Sequence, residues 1–425
     1  MTAGCAPNPE SVGVTEVSNA QEAPQTAVKP ADQGTGRRFA AKPAKKPLVD
    51  RGSFSSSFLN LQKIYSLAAV PTYDGYNQVT HPKILYFPKR WNGYQYWMSV
   101  TPYPFGNDDF ENPCIVTSND GKTWVTPVGL KNPITGVPSD VKIGAHYSDS
   151  HLVMCGNKME MWYRYNKGNP KTRHTDSGTD YYYRTISQDG LNWSVPQLMQ
   201  KSNKGLISLA VNYEDNRYQF WYTTAQKRLM HAESANGTAW SDPQPCSIEL
   251  PEGYLPWHQD IIHYQSVYYL LQTGIRQKEY SFALFLSKST DGIHFTKGVP
   301  FYPSDNPVIL HNTWLYRSTV YADGDTLRMM ISYRLPQKKW YMTSASVSVQ
   351  QWNDACDLHK PLILPDPTAK APAQKRGTEA PAEDRSQSGR SDCVEKNSRM
   401  NSSPPGMPKT FFLFGRPARG FLLEE

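Results

Sequence analysis

Ser118-Asn119-Asp120-Gly121-Lys122-Thr123-Trp124 reads S-x-D-G-x-x-W, and the phrase returns three times. Ser187-Gln188-Asp189-Gly190-Leu191-Asn192-Trp193 repeats it unchanged. Ser234-Ala235-Asn236-Gly237-Thr238-Ala239-Trp240 places Asn where Asp stood, and Ser289-Thr290-Asp291-Gly292-Ile293-His294-Phe295 ends on Phe. A D-G or N-G pair between apolar runs is the strongest short hairpin signal, and predicts a type I′ turn with both central residues at φ > 0. The Ser before it holds the turn through local hydrogen bonds. Asp120, Asp189, Asn236 and Asp291 therefore read as turn stabilisers, and the closing aromatic as the hairpin tip's contact with the next sheet. Copies spaced by several tens of residues indicate a repeat architecture.

Working outward, each box ends a set of strand-like runs. The first set holds residues 83–87, 94–100 and 114–118. The second holds 151–154, 159–165 and 181–187, the third 206–211, 218–223 and 229–234, and the fourth 259–263, 267–272 and 282–287. A fifth set, 316–321, 327–333 and 340–346, has no box. Each set supplies an inner, a middle and a third strand, then a turn and a short outer strand. Five such sets predict an all-β, five-bladed β-propeller over residues 64–358, which removes nearly all sheet edges. Trp97, Trp162 and Trp221 recur at equivalent places on the middle strands and read as packing between blades.

Residues 1–63 and 359–425 have no hydrophobic period and are rich in Pro, Ala, Ser and charged residues, so they read as disordered tails. The formal charge of +7 is spread out, with +4 on residues 1–60 and 361–425 together and +3 on residues 61–360. No basic face or stripe is visible, so nucleic acid is not an expected partner. No apolar run is long enough to span a membrane, and no membrane partner is expected. The N-terminus lacks the basic and apolar regions of a signal peptide, which leaves virion-associated and cytoplasmic locations both open. The six cysteines follow no metal or disulfide framework, and Cys114 and Cys155 read as buried thiols. The oligomeric state has no signature in the sequence.

Boxes of this form on five blades resemble the glycoside hydrolase family 43-like superfamily, of arabinanase and fructosidase type. The boxes are also similar to the Asp-boxes of sialidases, which have one more residue between Asp and Gly. The runs Thr80-His81-Pro82-Lys83-Ile84-Leu85-Tyr86-Phe87, Trp91-Asn92-Gly93-Tyr94-Gln95-Tyr96-Trp97-Met98, Thr101-Pro102-Tyr103-Pro104 and Glu111-Asn112-Pro113 look like a propeller subgroup of bacterial and bacteriophage proteins, some of them tail-associated. The resemblance covers roughly residues 64–350. It implies a glycan or polysaccharide partner bound at the mouth of a central funnel, where inner strands begin.

The residues at those positions are His81, then His146, Asp149 and His151, then Ser208, then Trp257, His258 and Asp260, then Tyr316 and Arg317, with Glu111 beside blade 1. Hydrolysis of a glycosidic bond needs two carboxyl groups flanking it. Asp149, Asp260 and Glu111 are the candidate catalytic acids. His81, His151, Trp257, His258, Tyr316 and Arg317 are the candidate substrate-binding residues. Trp91, Tyr103 and Trp314 add aromatic surface for stacking on sugar rings. The resemblance implies inner-strand acids in blades 1 and 3 and a Glu in blade 4; His81, Ser208 and Asp260 occupy the nearest positions, so it does not carry the usual triad across. His81, His151 and His258 suit proton transfer near neutral pH. They also suggest a metal cluster, but no linear spacing supports one, and neither a metal nor another cofactor is expected. Three readings follow: a glycan-recognising propeller, of the phage tail or receptor-binding type that the resemblance implies; a glycoside hydrolase; and a structural scaffold.

Overall fold

The computed structural model describes residues 68–366, apart from 174, 204, 252, 307–308, 311–313 and 336–338. Both expected tails lie almost wholly outside the described residues. Within them the chain is a five-bladed β-propeller. Blade 1 is β1 (Val79–Trp91), β2 (Tyr94–Pro102) and β3 (Cys114–Ser118). Blade 2 is β4 (His146–Cys155), β5 (Lys158–Gly168), β6 (Thr175–Ser187) and β7 (Gln197–Ser202). Blade 3 is β8 (Ile207–Glu214), β9 (Arg217–Thr223), β10 (Leu229–Ser234) and β11 (Gln244–Pro245). Blade 4 is β12 (Leu255–Tyr264), β13 (Val267–Arg276), β14 (Ser281–Ser289) and β15 (Val299–Tyr302). Blade 5 is β16 (Trp314–Leu315), β17 (Thr319–Asp323), β18 (Thr326–Arg334) and β19 (Trp340–Ser348). Neighbouring strands within each blade run antiparallel.

The boxes differ in detail from the expected turn. Only the glycines are left-handed: Gly121, Gly190, Gly237 and Gly292 have φ of 69°, 75°, 78° and 73°, while the Asp or Asn before each does not. The turn is built by side chains instead. Ser187 Oγ accepts from the N–H of Gly190 at 2.8 Å, and Asp189 Oδ1 accepts from the N–H groups of Leu191 and Asn192, both at 2.8 Å. Asn236 Oδ1 makes the same pair of bonds to Thr238 and Ala239, which explains why Asn is tolerated there. Backbone donors, led by Asn192, hold the Asp189 carboxyl down to about 2.

Each box glycine from the second to the fourth lies under a tryptophan of the preceding blade. Trp97 covers Gly190, Trp162 approaches Gly237, and Trp221 covers Gly292 while donating from Nε1 to its carbonyl at 2.8 Å. All three indoles are fully buried. The box is thus the socket into which the neighbouring blade's middle strand inserts. Blade 5 has no box, and a helix takes its place. Val349–Asp357, here α1, starts at a capping box in which Ser348 Oγ accepts from the Gln351 N–H at 3.0 Å and Gln351 Oε1 accepts from the Ser348 N–H at 2.8 Å. Its Trp352 is fully buried, packs on Tyr269 of blade 4, and donates to the Ser287 carbonyl at 3.2 Å. Beyond residue 358, where the sequence suggested a tail, β20 (Leu362–Ile363) pairs in parallel with β15.

The ring closes at residues 68–69. The Ala68 N–H donates to the Met342 carbonyl of β19 at 2.9 Å, and Ala69 bridges to Thr123 of the first box. Met330 and Met342 of blade 5 share one apolar cluster with Val79, Met98 and Val116 of blade 1.

A Cβ built on Gly190 would overlap the Trp97 ring, whereas one on Gly156, also left-handed at φ 61°, meets nothing within 4 Å. Gly156→Ala therefore carries backbone strain alone, about 1 kcal/mol, while Gly190→Ala adds overpacking and costs about 2–4 kcal/mol. Urea unfolding of the two variants checks this, and equal losses would show that the socket is not the tight contact between blades.

Candidate functional site

The inner strands enter the funnel through a shared irregularity. Pairing slips between Thr80 and Lys83 in β1, Ser148 and His151 in β4, Ile207 and Ala210 in β8, and Pro256 and His258 in β12. His81, Asp149 and Ser208 sit in the first three bulges with left-handed backbones, at φ of 52°, 54° and 52°. In blade 5, residues 316–318 separate β16 from β17. Non-glycine residues at such φ are costly and persist only where their surroundings fix them. Here each bulge turns a polar side chain toward the axis.

Asp149 is at the centre. It is 2% exposed, and residues of four other blades surround it. Arg317 Nη1 donates to its Oδ1 at 3.2 Å, and the Ser208 N–H donates to its Oδ2 at 3.4 Å. Arg164 Nη1 lies 3.5 Å from Oδ2, and is itself paired with Asp180 at 2.6 Å. His258 Nδ1 and His81 Nε2 lie 3.5 Å and 3.7 Å from Oδ1. Burial alone would raise the Asp149 carboxyl, but His81, His258, Arg317 and Arg164 hold it well below the usual carboxylate range. Burial, only partly opposed by Asp149, pushes the His258 imidazole well below its ordinary value.

The outer nitrogens of both imidazoles are engaged. His81 Nδ1 is 3.0 Å from Glu111 Oε1 and 2.8 Å from Thr101 Oγ1. His258 Nε2 is 2.8 Å from the Tyr316 hydroxyl, to which Trp257 Nε1 also donates at 3.4 Å. The inner nitrogens, His81 Nε2 and His258 Nδ1, are buried without a hydrogen-bond partner. These two atoms and an Asp149 oxygen lie within 4.8 Å of one another. Donor atoms about 2.1 Å from a shared ion in tetrahedral array stand about 3.4 Å apart, close to the two separations found here. The set fits a first-row divalent cation: two imidazoles and a carboxylate, each with its far side anchored. Sequence spacing gave no hint of it, because the three ligands come from blades 1, 2 and 4.

The other candidates fall elsewhere. Glu111 lies across His81 from Asp149 and 3.6 Å from His146 Nε2, so the His81 ring fills the space between these two acids. Asp260 belongs to a separate cluster: Lys83 Nζ is 2.7 Å from Oδ1, while Thr319 Oγ1 and the Val320 N–H donate to Oδ2 at 2.7 and 2.9 Å. Asp149, Asp260 and Glu111 are thus not arranged around one open gap. His151 is fully buried behind Arg317, its Nε2 against the backbone of Val211. Arg317 is 1% exposed and braces Asp149 and the Leu209 carbonyl, so it is no surface for a ligand. Trp257 and Tyr316 pack on His258, and Tyr316 in turn packs on Phe282 and Trp340, which continue to Trp314 and Tyr103. Trp91 instead packs against Trp97 and Phe87, in the contact between blades 1 and 2. Sequence reading missed Lys83, Arg164 and Thr101. Lys83 did carry a signal, since a lysine in an apolar inner strand requires a buried acid.

No family model matches the chain. A curated protein of Flavonifractor plautii, described as "A type blood N-acetyl-alpha-D-galactosamine deacetylase", is 27% identical over 231 residues, which are 44% of this chain and 29% of that protein. The chain therefore spans less than a third of the length of that relative. The crystal structure of an N-acetylgalactosamine deacetylase from F. plautii in complex with blood group B trisaccharide superimposes with a TM-score of 0.57 at 20% identity, covering 68% of this chain and 96% of that one. The shared fold is the five-bladed β-propeller. An exo-1,5-α-L-arabinanase from a bovine ruminal metagenomic library is also similar, with a TM-score of 0.45 at 12% identity over 63% of this chain and 92% of that one. So is an exo-β-1,3-galactanase from Phanerochaete chrysosporium, with a TM-score of 0.47 at 10% identity over 68% of this chain and 65% of that one.

Lys83 and Asp260 are 4% and 1% exposed, so breaking their pair strands a buried charge. Lys83→Met should lower stability by about 3–5 kcal/mol in chemical denaturation. A loss below about 1 kcal/mol would mean that water reaches the pair.

Proposed function

We propose that this propeller is a divalent-metal-dependent deacetylase acting on an N-acetylated sugar of a glycan. One observation carries the reading: His81 Nε2 and His258 Nδ1 are buried, lack hydrogen-bond partners, and converge with a carboxylate oxygen of Asp149. Two unpaired imidazole nitrogens in a protein interior are costly unless something accepts their lone pairs. The 27% identical deacetylase relative supports the reaction type.

His81, Asp149 and His258 would hold the ion. When bound, such an ion supplies Lewis-acid chemistry, polarising an amide carbonyl and acidifying water near neutral pH. Glu111 and Thr101 fix the His81 ring so that Nε2 faces inward. Tyr316 does the same for His258, by accepting a proton-bearing Nε2. Its Oη also accepts from Trp257, so its own proton remains for a third acceptor. Burial raises the Tyr316 phenol well above its ordinary value and keeps it a donor. That proton suits the oxygen on which negative charge builds as an amide is attacked. Trp257, Trp314 and Tyr103 are partly exposed and offer ring edges to a sugar, while Phe282 and Trp340 are buried beneath them.

Glycosidic cleavage has less support, because it needs two carboxyl groups flanking a bond. Here His81 stands between Asp149 and Glu111, and Asp260 is spent on Lys83.

The test is acetate release from N-acetylgalactosaminides and N-acetylglucosamine oligosaccharides by the purified chain. Release should stop with a chelator, return on adding a divalent transition metal, and fall at least about 100-fold in His258→Gln together with the loss of bound metal. Release of reducing sugar instead of acetate would restore the hydrolase reading. Binding of glycan with no turnover and no bound metal would leave a recognition module.

A further inference from the structure

The rim of the funnel holds two cations that the proposed chemistry does not use. Lys227, in the turn between β9 and β10, has a left-handed backbone at φ 63° and sets its Nζ 3.8 Å above the Trp257 ring. Arg334, the last residue of β18, stacks its guanidinium 3.3 Å above Trp314 and reaches toward Trp340. Both sit one ring away from Tyr316. Trp257 donates to its hydroxyl, and Trp340 packs 5.1 Å from its ring. Among the described residues neither cation pairs with a carboxylate. Burial pushes Lys227 down to about 8, helped by Arg164, and lowers Arg334 as well.

Acids of blade 1 line the mouth as well. Asp108 and Asp109 lie in the short 3-10 turn Asp108–Phe110, next to Glu111. Burial and Glu111 raise the Asp108 carboxyl, and His146 opposes the shift. Among the described residues none of these acids pairs with Lys227 or Arg334. A lysine and an arginine, each partly desolvated on an indole and each without an acid, leave a charge-assisted site open to an anion. A neutral sugar would leave both cations unanswered.

We propose that Lys227 and Arg334 form an anion clamp at the funnel mouth, and that the acetylated sugar presented to His81, Asp149 and His258 carries a carboxylate or sulfate beside it. The substrate class is thus an acidic, N-acetylated glycan. This assignment rests on the deacetylase reading for its reaction, but not for its binding.

Three probes separate the possibilities: neutral N-acetylglucosamine oligosaccharides, hyaluronan oligosaccharides with a carboxylate, and chondroitin 6-sulfate oligosaccharides with a sulfate as well. Titration calorimetry on the intact chain in chelator measures binding, and acetate release with metal measures turnover. The anionic probes should bind at least about tenfold tighter than the neutral one. That preference should shrink about tenfold in Lys227→Met and in Arg334→Gln, persist in Arg334→Lys, and weaken with added salt. Hyaluronan and chondroitin sulfate binding alike would identify the carboxylate as sufficient, while sulfate-dependent binding would identify the sulfate. Equal affinity for neutral and anionic probes, no binding of either anionic probe, or a preference unmoved by the two charge-removing variants would overturn the clamp. Selective anion binding without acetate release would overturn the deacetylase reading and leave the clamp standing.

Discussion

All five blades meet on one carboxylate. Asp149 comes from blade 2, and it is reached by His81 from blade 1, the Ser208 N–H from blade 3, His258 from blade 4 and Arg317 from blade 5. A buried charge is costly unless its surroundings answer it. Here the answer comes from the whole ring, so no blade can shift without exposing Asp149 to an unbalanced field. The bulges in the inner strands follow from the same demand. They accept left-handed backbones at His81, Asp149 and Ser208 because only there do the side chains and N–H groups reach the axis.

The rim of the ring is held by a different force. Trp97, Trp162 and Trp221 each insert over the box glycine of the next blade, where a side chain would block them. This is chiefly van der Waals contact of large buried rings, with Trp162 and Trp221 also donating from Nε1 to Glu160 and to the Gly292 carbonyl. The polar centre and the aromatic periphery therefore constrain the blades independently. Blade 5 shows that the periphery asks for a contact rather than a motif, since α1 and Trp352 fill the place of the missing box.

The periphery was the legible part in the sequence. The boxes repeat, the middle-strand tryptophans repeat with them, and hydrophobic alternation supplied the strands. From these came the blade number and the packing role of Trp97, Trp162 and Trp221. The turn type was misjudged because D-G signals a left-handed pair, while Ser187 and Asp189 instead capture the backbone donors themselves. The helix α1 was missed although Ser348 and Gln351 have capping-box spacing, because a nine-residue helix is easily hidden among strands. At the centre, the sequence pointed to His81, Asp149, His258 and Tyr316 as funnel residues. It did not show which atoms face one another. Asp149 and Asp260 both sit on inner strands, yet one meets histidines and the other meets Lys83. That distinction depends on bulges of one residue, and a slip of one residue turns a side chain to the opposite face.

The acids at the centre bear on the chemistry through what they are committed to. Asp149 is answered by Arg317 and Arg164, Asp180 by Arg164, and Asp260 by Lys83, so each of these carboxylates is held against a cation of its own surroundings. Glu111 lies against His81 and His146 instead. Cleavage of a glycosidic bond asks for two carboxyl groups that flank it across open space. Asp260 is committed to Lys83, and the His81 ring stands between Asp149 and Glu111, so no two of these three acids meet that requirement.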